Sequence, residues 1–399
     1  MTFNELGLNA RMVSRLDAVG LKKPTPIQEQ AIPQALQGRD ILGIAQTGTG
    51  KTAAFGIPLV VALSKTPERP APRSARGLVL VPTRELAGQI VRSLQGLTKD
   101  LRITLVVGGK SINAQAEKLA RGTDILVATP GRLIDLMDRG SIDLGQTRFL
   151  VLDEADQMLD IGFIHALRRI APRLSTDRQT MMFSATMPKA MAELSRQYLD
   201  EPIRIEVSPP GKVADKVAHS VHFVAKAQKQ DLLIELLHGH RDDRVLVFSR
   251  TKHGAERLMK NLDRAGFAAT SIHGNKSQGQ RDRAIAAFKA GSVRVLVATD
   301  VAARGIDIPG VGHVYNYDLP NVPENYVHRI GRTARAGESG RAIAFCAAEE
   351  LTELKAIEKV LGTRVEIAGG RPWEAVTGAP QKKRRPRRRS AGRPDRMAA

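Results

Sequence analysis

The sequence predicts an α/β protein built from two successive parallel-sheet domains, and three observations support this prediction. The chain has 399 residues, a length that suits two or three domains. Short runs rich in leucine and β-branched residues alternate with helix-like segments, which is the pattern of buried strands in β–α units. This alternation stops at residues 207–212, where a Pro-Pro-Gly sequence is typical of a linker, and then begins again.

Each half of the chain repeats the same order of predicted strands. In the first half they are residues 40–45, 77–81, 103–107, 125–128, 149–152 and 180–183. In the second half they are residues 221–224, 245–248, 270–272, 293–298, 314–317 and 342–345. Ligands of such folds bind at the carboxyl ends of the strands, so we expect the site to lie in a cleft between the two domains.

The predicted boundaries follow from these strands and from the composition. We expect an N-terminal domain at residues 1–206, a linker at 207–213, a C-terminal domain at 214–368 and a tail at 369–399. The tail is rich in Gly, Pro and Arg, which predicts disorder. Residues 351–361 have the pattern of an amphipathic helix that packs either on the second domain or against a partner, and we expect packing on the second domain.

The net charge favours a polyanionic partner. The chain carries a formal charge of +20, and residues 381–399 contribute nine Lys and Arg against one Asp. The rest of the chain is therefore also basic, which favours nucleic acid over a membrane surface. Hydrophobic residues make up 42% and charged residues 26%, so the chain as a whole is not of the disordered class.

The sequence also indicates a compartment. No apolar run reaches the roughly 18 residues that a membrane-spanning helix needs. The N-terminus lacks the basic start and apolar stretch of a secretory signal. The single cysteine, Cys346, is typical of a reducing environment, so we expect a cytoplasmic protein.

Residues 45–52, Ala-Gln-Thr-Gly-Thr-Gly-Lys-Thr, predict a phosphate-binding loop. They match the P-loop pattern except at its first glycine, which is Ala45 here. The segment follows a predicted strand and precedes a helix, a context that disfavours the alternative of an ordinary Gly-Thr loop. Lys51 is expected to reach the β- and γ-phosphates, and Thr52 to bind Mg²⁺. The other predicted contacts to ATP in this loop are Thr47, Gly48, Thr49 and Gly50.

Two acidic residues follow the predicted strand at residues 149–152. Asp153 is expected to hold Mg²⁺, and Glu154 to polarise the water that attacks the γ-phosphate. The alternative is that both acids only stabilise the start of a helix. The P-loop on the same rim of the sheet favours the catalytic interpretation.

The motifs around these residues resemble those of the DEAD-box RNA helicase family, whose name is spelled by residues 153–156. The resemblance covers residues 3–347 and implies two tandem RecA-like domains with an ATP and RNA cleft between them. Residues 20–28 are similar to the family's Q motif, which implies that Gln28 recognises adenine and that Phe3 is the upstream aromatic. Leu21 stands where the family usually has an aromatic, so the stacking on adenine is expected to differ. The subgroup that the chain resembles most is the bacterial RhlE-like one.

The resemblance also implies contacts with RNA, because several strand ends carry the family's backbone-binding motifs. The implied RNA contacts are Thr83, Arg84, Gly109, Thr129 and Arg132 in the first domain and Arg250, Gly274, Gln278, Arg281 and Thr299 in the second. The residues implied to couple nucleotide state to RNA binding are Ser184, Thr186 and His328.

The second domain is further expected to complete the ATP site. Asp307 is implied to hold the ribose, and Arg332 and Arg335 to act as arginine fingers. Ala334 replaces the glycine that is commonest in the family, a change between small residues that we expect to be neutral.

These residues together predict an ATP-dependent RNA helicase. ATP and RNA are expected to close the cleft, bend one strand and so melt a duplex locally, with hydrolysis reopening the cleft. Aromatic residues make up only 4% of the chain, which favours sequence-independent binding of single-stranded or duplex RNA along its backbone. The alternatives are an ATP-gated RNA clamp or annealing factor and a DNA translocase. Ribosomal precursors and RNA-decay proteins both fit as partners, and the sequence does not choose between them.

Overall fold

The computed structural model describes residues 1–46, 48–66, 68–207, 217–303, 310–333 and 340–373. The predictions for Thr47, Asp307, Arg335, linker residues 208–213 and tail residues 374–399 lie outside these described residues. Within the described part of the chain, no helix is both long and apolar enough to cross a membrane.

The first half of the chain forms a seven-stranded sheet in which every pairing is parallel. Its strands are β1 (Ile41–Ile44), β2 (Ala75–Leu80), β3 (Ile103–Val106), β4 (Thr123–Ala128), β5 (Phe149–Leu152), β6 (Gln179–Ser184) and β7 (Ile203–Glu206). Their order across the sheet is β3-β4-β2-β5-β6-β1-β7. The helices of this half are α1 (Ala10–Ala18), α2 (Pro26–Leu36), α3 (Lys51–Lys65), α4 (Arg84–Leu97), α5 (Ile112–Leu119), α6 (Pro130–Asp138), α7 (Ala155–Asp160), α8 (Ile164–Ile170) and α9 (Lys189–Tyr198).

The second half forms another seven-stranded parallel sheet. Its strands are β8 (Ala218–Phe223), β9 (Arg244–Phe248), β10 (Ala269–Ile272), β11 (Val295–Ala298), β12 (Val311–Asn316), β13 (Arg341–Cys346) and β14 (Glu366–Gly369). Their order is β10-β11-β9-β12-β13-β8-β14, the same permutation as in the first sheet. The helices are α10 (Lys229–His238), α11 (Lys252–Arg264), α12 (Gln278–Lys289), α13 (Asp300–Ala303), α14 (Glu324–Ile330) and α15 (Leu351–Leu361).

The predicted fold class of two tandem parallel-sheet domains is confirmed. Each predicted strand is present, with ends that differ by a few residues. Helix α15 packs on the second domain as expected, because Leu354 and Ile357 are buried in its core. The domain boundaries at residues 206, 214 and 368 stay a prediction.

Two edge strands were not predicted from the sequence. Strand β7 reads Ile-Arg-Ile-Glu and β14 reads Glu-Ile-Ala-Gly, and neither is an apolar run. Each pairs on one side only, with β1 and with β8 respectively. An edge strand can carry polar residues that face solvent, and β7 and β14 therefore lack the continuous apolar pattern that identifies a central parallel strand.

Candidate functional site

The P-loop turns at two glycines and leads directly into α3. Gly48 and Gly50 have φ angles of +88° and +91°, in the left-handed region that favours glycine. Helix α3 begins at Lys51, so its N-terminal N–H groups face the loop. The Lys51 side chain is buried, and its Nζ donates to the Ala45 carbonyl at 2.9 Å. Lys51 is therefore held over the loop by the loop's own backbone, and the half-buried Thr52 follows it.

Gln28 connects the start of α2 to this loop. Its Nε2 donates to the Gly50 carbonyl at 2.9 Å, and its Oε1 accepts from the Thr25 N–H at 3.0 Å. A Cβ atom on Gly50 would lie 2.4 Å from Gln28 Nε2, so the loop needs glycine there for space as well. Gln28 is thus placed at the nucleotide site, while its contact with adenine stays a prediction.

The two other residues predicted near adenine pack on the first domain. Phe3 is buried in its hydrophobic core, and Leu21 is partly buried against the same core. Phe3 therefore has a packing role, and stacking of either side chain on adenine stays a prediction.

Asp153 and Glu154 lie at the carboxyl end of β5 and are each only 3% exposed. Glu154 has a φ angle of +52°, an unusual conformation for a residue with a side chain. Burial raises the pKa of Asp153, while the positive charge of Lys51 opposes the rise. Burial also raises the pKa of Glu154 to about 7, opposed by the charges of Lys51 and Arg332. The two carboxyls and Lys51 thus form one buried, electrostatically linked group.

The second domain reaches this group through Arg332. Arg332 follows α14, is buried, and lies close enough for its charge to lower the pKa of Glu154. A cation from one domain therefore acts on a carboxyl of the other. His328, predicted to couple the two sites, lies half-buried in α14 of the same domain.

Asp156 links the acidic segment to the predicted coupling motif. One of its carboxylate oxygens accepts from the N–H groups of Ala185 and Thr186, at 3.1 and 2.9 Å, and from the Thr186 hydroxyl at 3.0 Å. The Ser184 hydroxyl donates to the Thr186 carbonyl at 2.7 Å. Sequence reasoning assigned no role to Asp156, although its place between Glu154 and the helix was visible.

The predicted RNA contacts of the first domain lie together at the carboxyl ends of β2, β3 and β4. The guanidinium of Arg84 packs on Gly109, where a Cβ would be only 1.9 Å from Arg84 Nη1. Gly109 also has a φ angle of +75°. Arg132 Nη1 donates to the Lys110 carbonyl at 2.8 Å. The hydroxyl of Thr83 caps α4, and Thr129 is buried at the start of α6.

Helix α12 of the second domain meets this rim. The Gln278 side chain accepts a hydrogen bond from Arg84 Nη1 at 3.3 Å and donates one to Glu85 Oε1 at 2.9 Å. Arg281 Nη2 forms an ion pair with the same Glu85 oxygen at 3.2 Å. The pKa of Arg84 is lowered, chiefly by burial and also by repulsion from Arg281 and Arg132. The negative charge of Glu85 opposes this shift. A cavity of about 390 Å³ lies between Arg84 and Gln278. Arg84, Arg132 and Arg281 lie near one another at this rim, and Arg281 and Arg132 repel Arg84, so a bound anion such as an RNA phosphate would relieve that repulsion.

Glu85 is a residue that sequence reasoning missed here. It lies between Arg84 and Leu86 in the motif. An acidic residue next to a predicted phosphate contact is unexpected, and that could have pointed to a separate role for Glu85. The structure shows that it joins the two domains through Gln278 and Arg281.

The remaining contacts predicted in the second domain follow β9, β10 and β11. Arg250 Nη2 donates to the Leu319 carbonyl at 3.0 Å and to Glu350 at 2.8 Å, so its guanidinium is held within its own domain. A Cβ on Gly274 would have no heavy atom within 4 Å, which leaves this turn open. Thr299 is buried directly after β11.

Arg329 is a second residue whose role the sequence did not reveal. Its side chain is 2% exposed, and Nε and Nη2 pair with both Asp300 oxygens at 2.6 and 2.8 Å. Nη1 donates to Asn316 Oδ1 and to the Asp318 carbonyl. Arg329 therefore anchors α14, which carries His328 and precedes Arg332, to the segment after β11.

Comparisons with known protein families agree with this geometry. The family model "DEAD/DEAH box helicase" matches residues 25–194. The model "Helicase conserved C-terminal domain" matches residues 228–337.

Curated relatives match nearly the whole chain. The DEAD-box ATP-dependent RNA helicase CshA of Bacillus cereus is 42% identical over 367 residues, which cover 92% of this chain and 69% of the relative. The ATP-dependent RNA helicase CshA of Listeria monocytogenes is 40% identical over 379 residues, covering 94% of this chain and 72% of the relative. These relatives do not bear the RhlE name, and the RhlE-like subgroup stays a prediction.

Solved structures match both domains together. S. cerevisiae Dbp5 bound to RNA and ADP BeF3 has a TM-score of 0.80 and 34% identity, covering 92% of this chain and 95% of that one. Mss116p bound to ssRNA and AMP-PNP has a TM-score of 0.83 and 27% identity, covering 94% and 80%. On this sequence and structural similarity, the chain belongs to the DEAD-box ATP-dependent RNA helicase family.

Proposed function

We propose that the protein is an RNA helicase that uses ATP to remodel RNA locally in the cleft between its two domains. The observation that carries this proposal is that Arg332, from the second domain, lies close enough to Glu154 in the first for its positive charge to lower the pKa of that carboxyl. Hydrolysis that needs both residues can proceed only when the domains are together. ATP hydrolysis therefore depends on the RNA that keeps the two domains together.

The P-loop residues bind the nucleotide in this proposal. Lys51 exchanges its hydrogen bond to the Ala45 carbonyl for the β- and γ-phosphates, and the start of α3 adds partial positive charge. The Thr52 hydroxyl and the Asp153 carboxylate are the oxygen donors suited to Mg²⁺. A cation beside Asp153 would also restore the charged form that burial disfavours. Bound Mg²⁺ would neutralise charge on the phosphates.

Glu154 prepares the attacking water. Burial raises its pKa to about 7, which gives it the proton affinity of an effective general base near neutral pH. Arg332 then stabilises the charge that develops on the γ-phosphate. Arg335, outside the described residues, is proposed as the second finger on the strength of the sequence motif alone.

The RNA is proposed to lie along the cluster formed by Arg84, Arg132 and Arg281. These side chains suit phosphates rather than base edges, which supports binding that tolerates any sequence. Dbp5 is described as bound to RNA and ADP BeF3, and a TM-score of 0.80 over 92% of this chain requires both domains to superpose together. This supports the proposal that the arrangement seen here is the closed, RNA-binding one.

We also propose a cytoplasmic location, supported by the buried, unpaired state of the chain's single cysteine.

The test is ATP hydrolysis with and without single-stranded RNA, and with DNA of the same sequence. RNA should stimulate the wild type strongly, Lys51→Ala should hydrolyse no ATP, and Arg332→Ala should lose the stimulation. Arg364→Ala, which removes an exposed arginine of the same domain, serves as the matched control. Equal stimulation by DNA would contradict a preference for RNA. Nucleotide-dependent RNA binding without stimulated hydrolysis would favour the clamp or annealing factor instead.

A further inference from the structure

Three potential metal ligands converge on the second domain, away from the ATP and RNA cleft. His240 and Asp243 lie in the turn between α10 and β9, and His313 lies in β12. Asp243 immediately precedes β9, and His313 is the third residue of β12, which pairs with β9 in parallel. The cluster is thus at the edge where these strands begin. The predicted RNA contacts follow the ends of the strands, at the opposite edge.

The distances suit a single bound ion. His313 Nε2 is 2.9 Å and His240 Nδ1 is 3.8 Å from the same Asp243 oxygen, and one ligand atom from each residue lies within 4.8 Å of the others. Ligands about 2.0 to 2.1 Å from a tetrahedral Zn²⁺ are about 3.4 Å apart. The two distances to Asp243 bracket this separation. Small side-chain rotations would therefore bring the three atoms onto one ion.

The two imidazole rings lie against each other beside Asp243. Burial lowers the pKa of His313 and the nearby His240 lowers it further, while the hydrogen bond to Asp243 and the charge of that carboxylate raise it. The two rings stack with centroids 3.7 Å apart, an arrangement that opposes charging both. A neutral imidazole offers the lone pair that a metal requires. Arg341 also acts on His313, and its positive charge is the feature that opposes a bound cation.

The backbone of β12 supports this placement. Its register with β9 shifts between Val311 and His313, so Gly312 lies at a bulge. A Cβ on Gly312 would be 3.6 Å from the Cβ of Asp243, which shows how closely the strand approaches the turn. Bulges commonly redirect a side chain, and here the next residue, His313, meets Asp243.

We propose that His240, Asp243 and His313 form a binding site for a divalent transition metal of the Zn²⁺ or Co²⁺ type. Two imidazole nitrogens and one carboxylate are the donors that such ions take. Asp243 is 51% exposed and His240 is 22% exposed, so a water can complete the coordination. The ion would join the turn before β9 to β12 and so stabilise the second domain, without a part in ATP hydrolysis.

The test is the titration of the metal-free, full-length protein with Co²⁺ alone, followed through the visible absorption of tetrahedral Co²⁺, and then displacement with Zn²⁺. The wild type should bind one Co²⁺ per chain. His240→Ala and Asp243→Asn should each weaken binding more than about tenfold, since even residues that only support metal ligands contribute that much. Both changes are at the open side of the site, so neither removes a buried side chain, and both should leave RNA-stimulated ATP hydrolysis unchanged.

His253→Ala is the matched control, because His253 is exposed on α11 of the same domain. It should bind Co²⁺ as the wild type does. The proposal is overturned if the wild type gives no tetrahedral Co²⁺ spectrum, if both His240→Ala and Asp243→Asn bind normally, or if His253→Ala loses binding equally.

Discussion

Replacing Gly109 with alanine tests whether the Arg84 guanidinium is part of an RNA-binding surface. Gly109 has a φ angle of +75°, and a Cβ there would lie 1.9 Å from Arg84 Nη1. The guanidinium must therefore move. Its 3.3 Å hydrogen bond to Gln278 of the second domain should be lost in the process. The P-loop is in a different part of the domain and should be unaffected.

The expected effect has two parts. A left-handed backbone costs a residue with a side chain about 1 to 2 kcal/mol of folding free energy. A misplaced arginine loses a hydrogen bond to a charged group, which contributes about 1.5 to 3 kcal/mol. If the free energy of this lost hydrogen bond is lost from RNA binding, the affinity for RNA should fall about 10- to 150-fold, because about 1.4 kcal/mol corresponds to a factor of ten.

The assay is fluorescence anisotropy with labelled single-stranded RNA and a non-hydrolysable ATP analogue. Gly140→Ala is the matched control, because Gly140 has a φ angle of +63° in the same domain but no heavy atom within 4 Å of a Cβ. Both variants should lose similar folding stability in urea, and only Gly109→Ala should bind RNA weakly. Equal RNA affinities for the two variants would refute the reasoning.

Four further predictions concern the base, a buried ion pair and the tail. Glu154→Gln should slow RNA-stimulated hydrolysis by about 100-fold or more while ATP and RNA still bind, and turnover at the wild-type rate would contradict its role. In the wild type, kcat/KM for ATP should rise as the pH increases through about 7, because the raised pKa leaves Glu154 protonated and inactive below that pH; a flat profile from about pH 6 to about pH 8 would count against this. Arg329→Lys should lower the free energy of unfolding by about 1.5 to 3 kcal/mol, because lysine keeps the charge but cannot make both hydrogen bonds to Asp300, and an unchanged urea midpoint would show that the pair contributes little. Deleting residues 381–399 removes nine basic residues, so the dependence of RNA affinity on salt should flatten, and an unchanged slope would mean that the tail does not contact phosphates.

Buried strands and phosphate loops could be predicted because their signals are local. A central parallel strand such as β5 needs a continuous apolar run wherever it lies in the sheet, and the run Phe-Leu-Val-Leu is visible in the sequence. The P-loop likewise needs glycine where φ is positive, as at Gly48 and Gly50. The edge strands β7 (Ile-Arg-Ile-Glu) and β14 (Glu-Ile-Ala-Gly) lack such a run and gave no local signal, whereas the opposite edges, β3 and β10, were recognised from their β-branched residues.

The candidate site could be predicted only as a set of residue types at strand ends. Lys51, Asp153 and Glu154 were identified because the order of strand, loop and acid implies their chemistry. The role of Arg329 was not predicted, since an arginine that binds phosphate and one that is buried against Asp300 look alike in a basic motif. The role of Glu85 was not predicted either, because its partner Gln278 is far away along the chain.

The sequence by itself determined the local elements, the two-fold repetition of the sheet architecture and the chemistry of the nucleotide loop, because each depends on neighbouring residues and their backbone preferences. Only the tertiary structure decided which distant groups meet. It brought Arg332 to Glu154, Gln278 to Arg84 and His313 to Asp243. Such contacts depend on strand order and on how the two domains pack, and residues far apart along the chain carry no local signal of either.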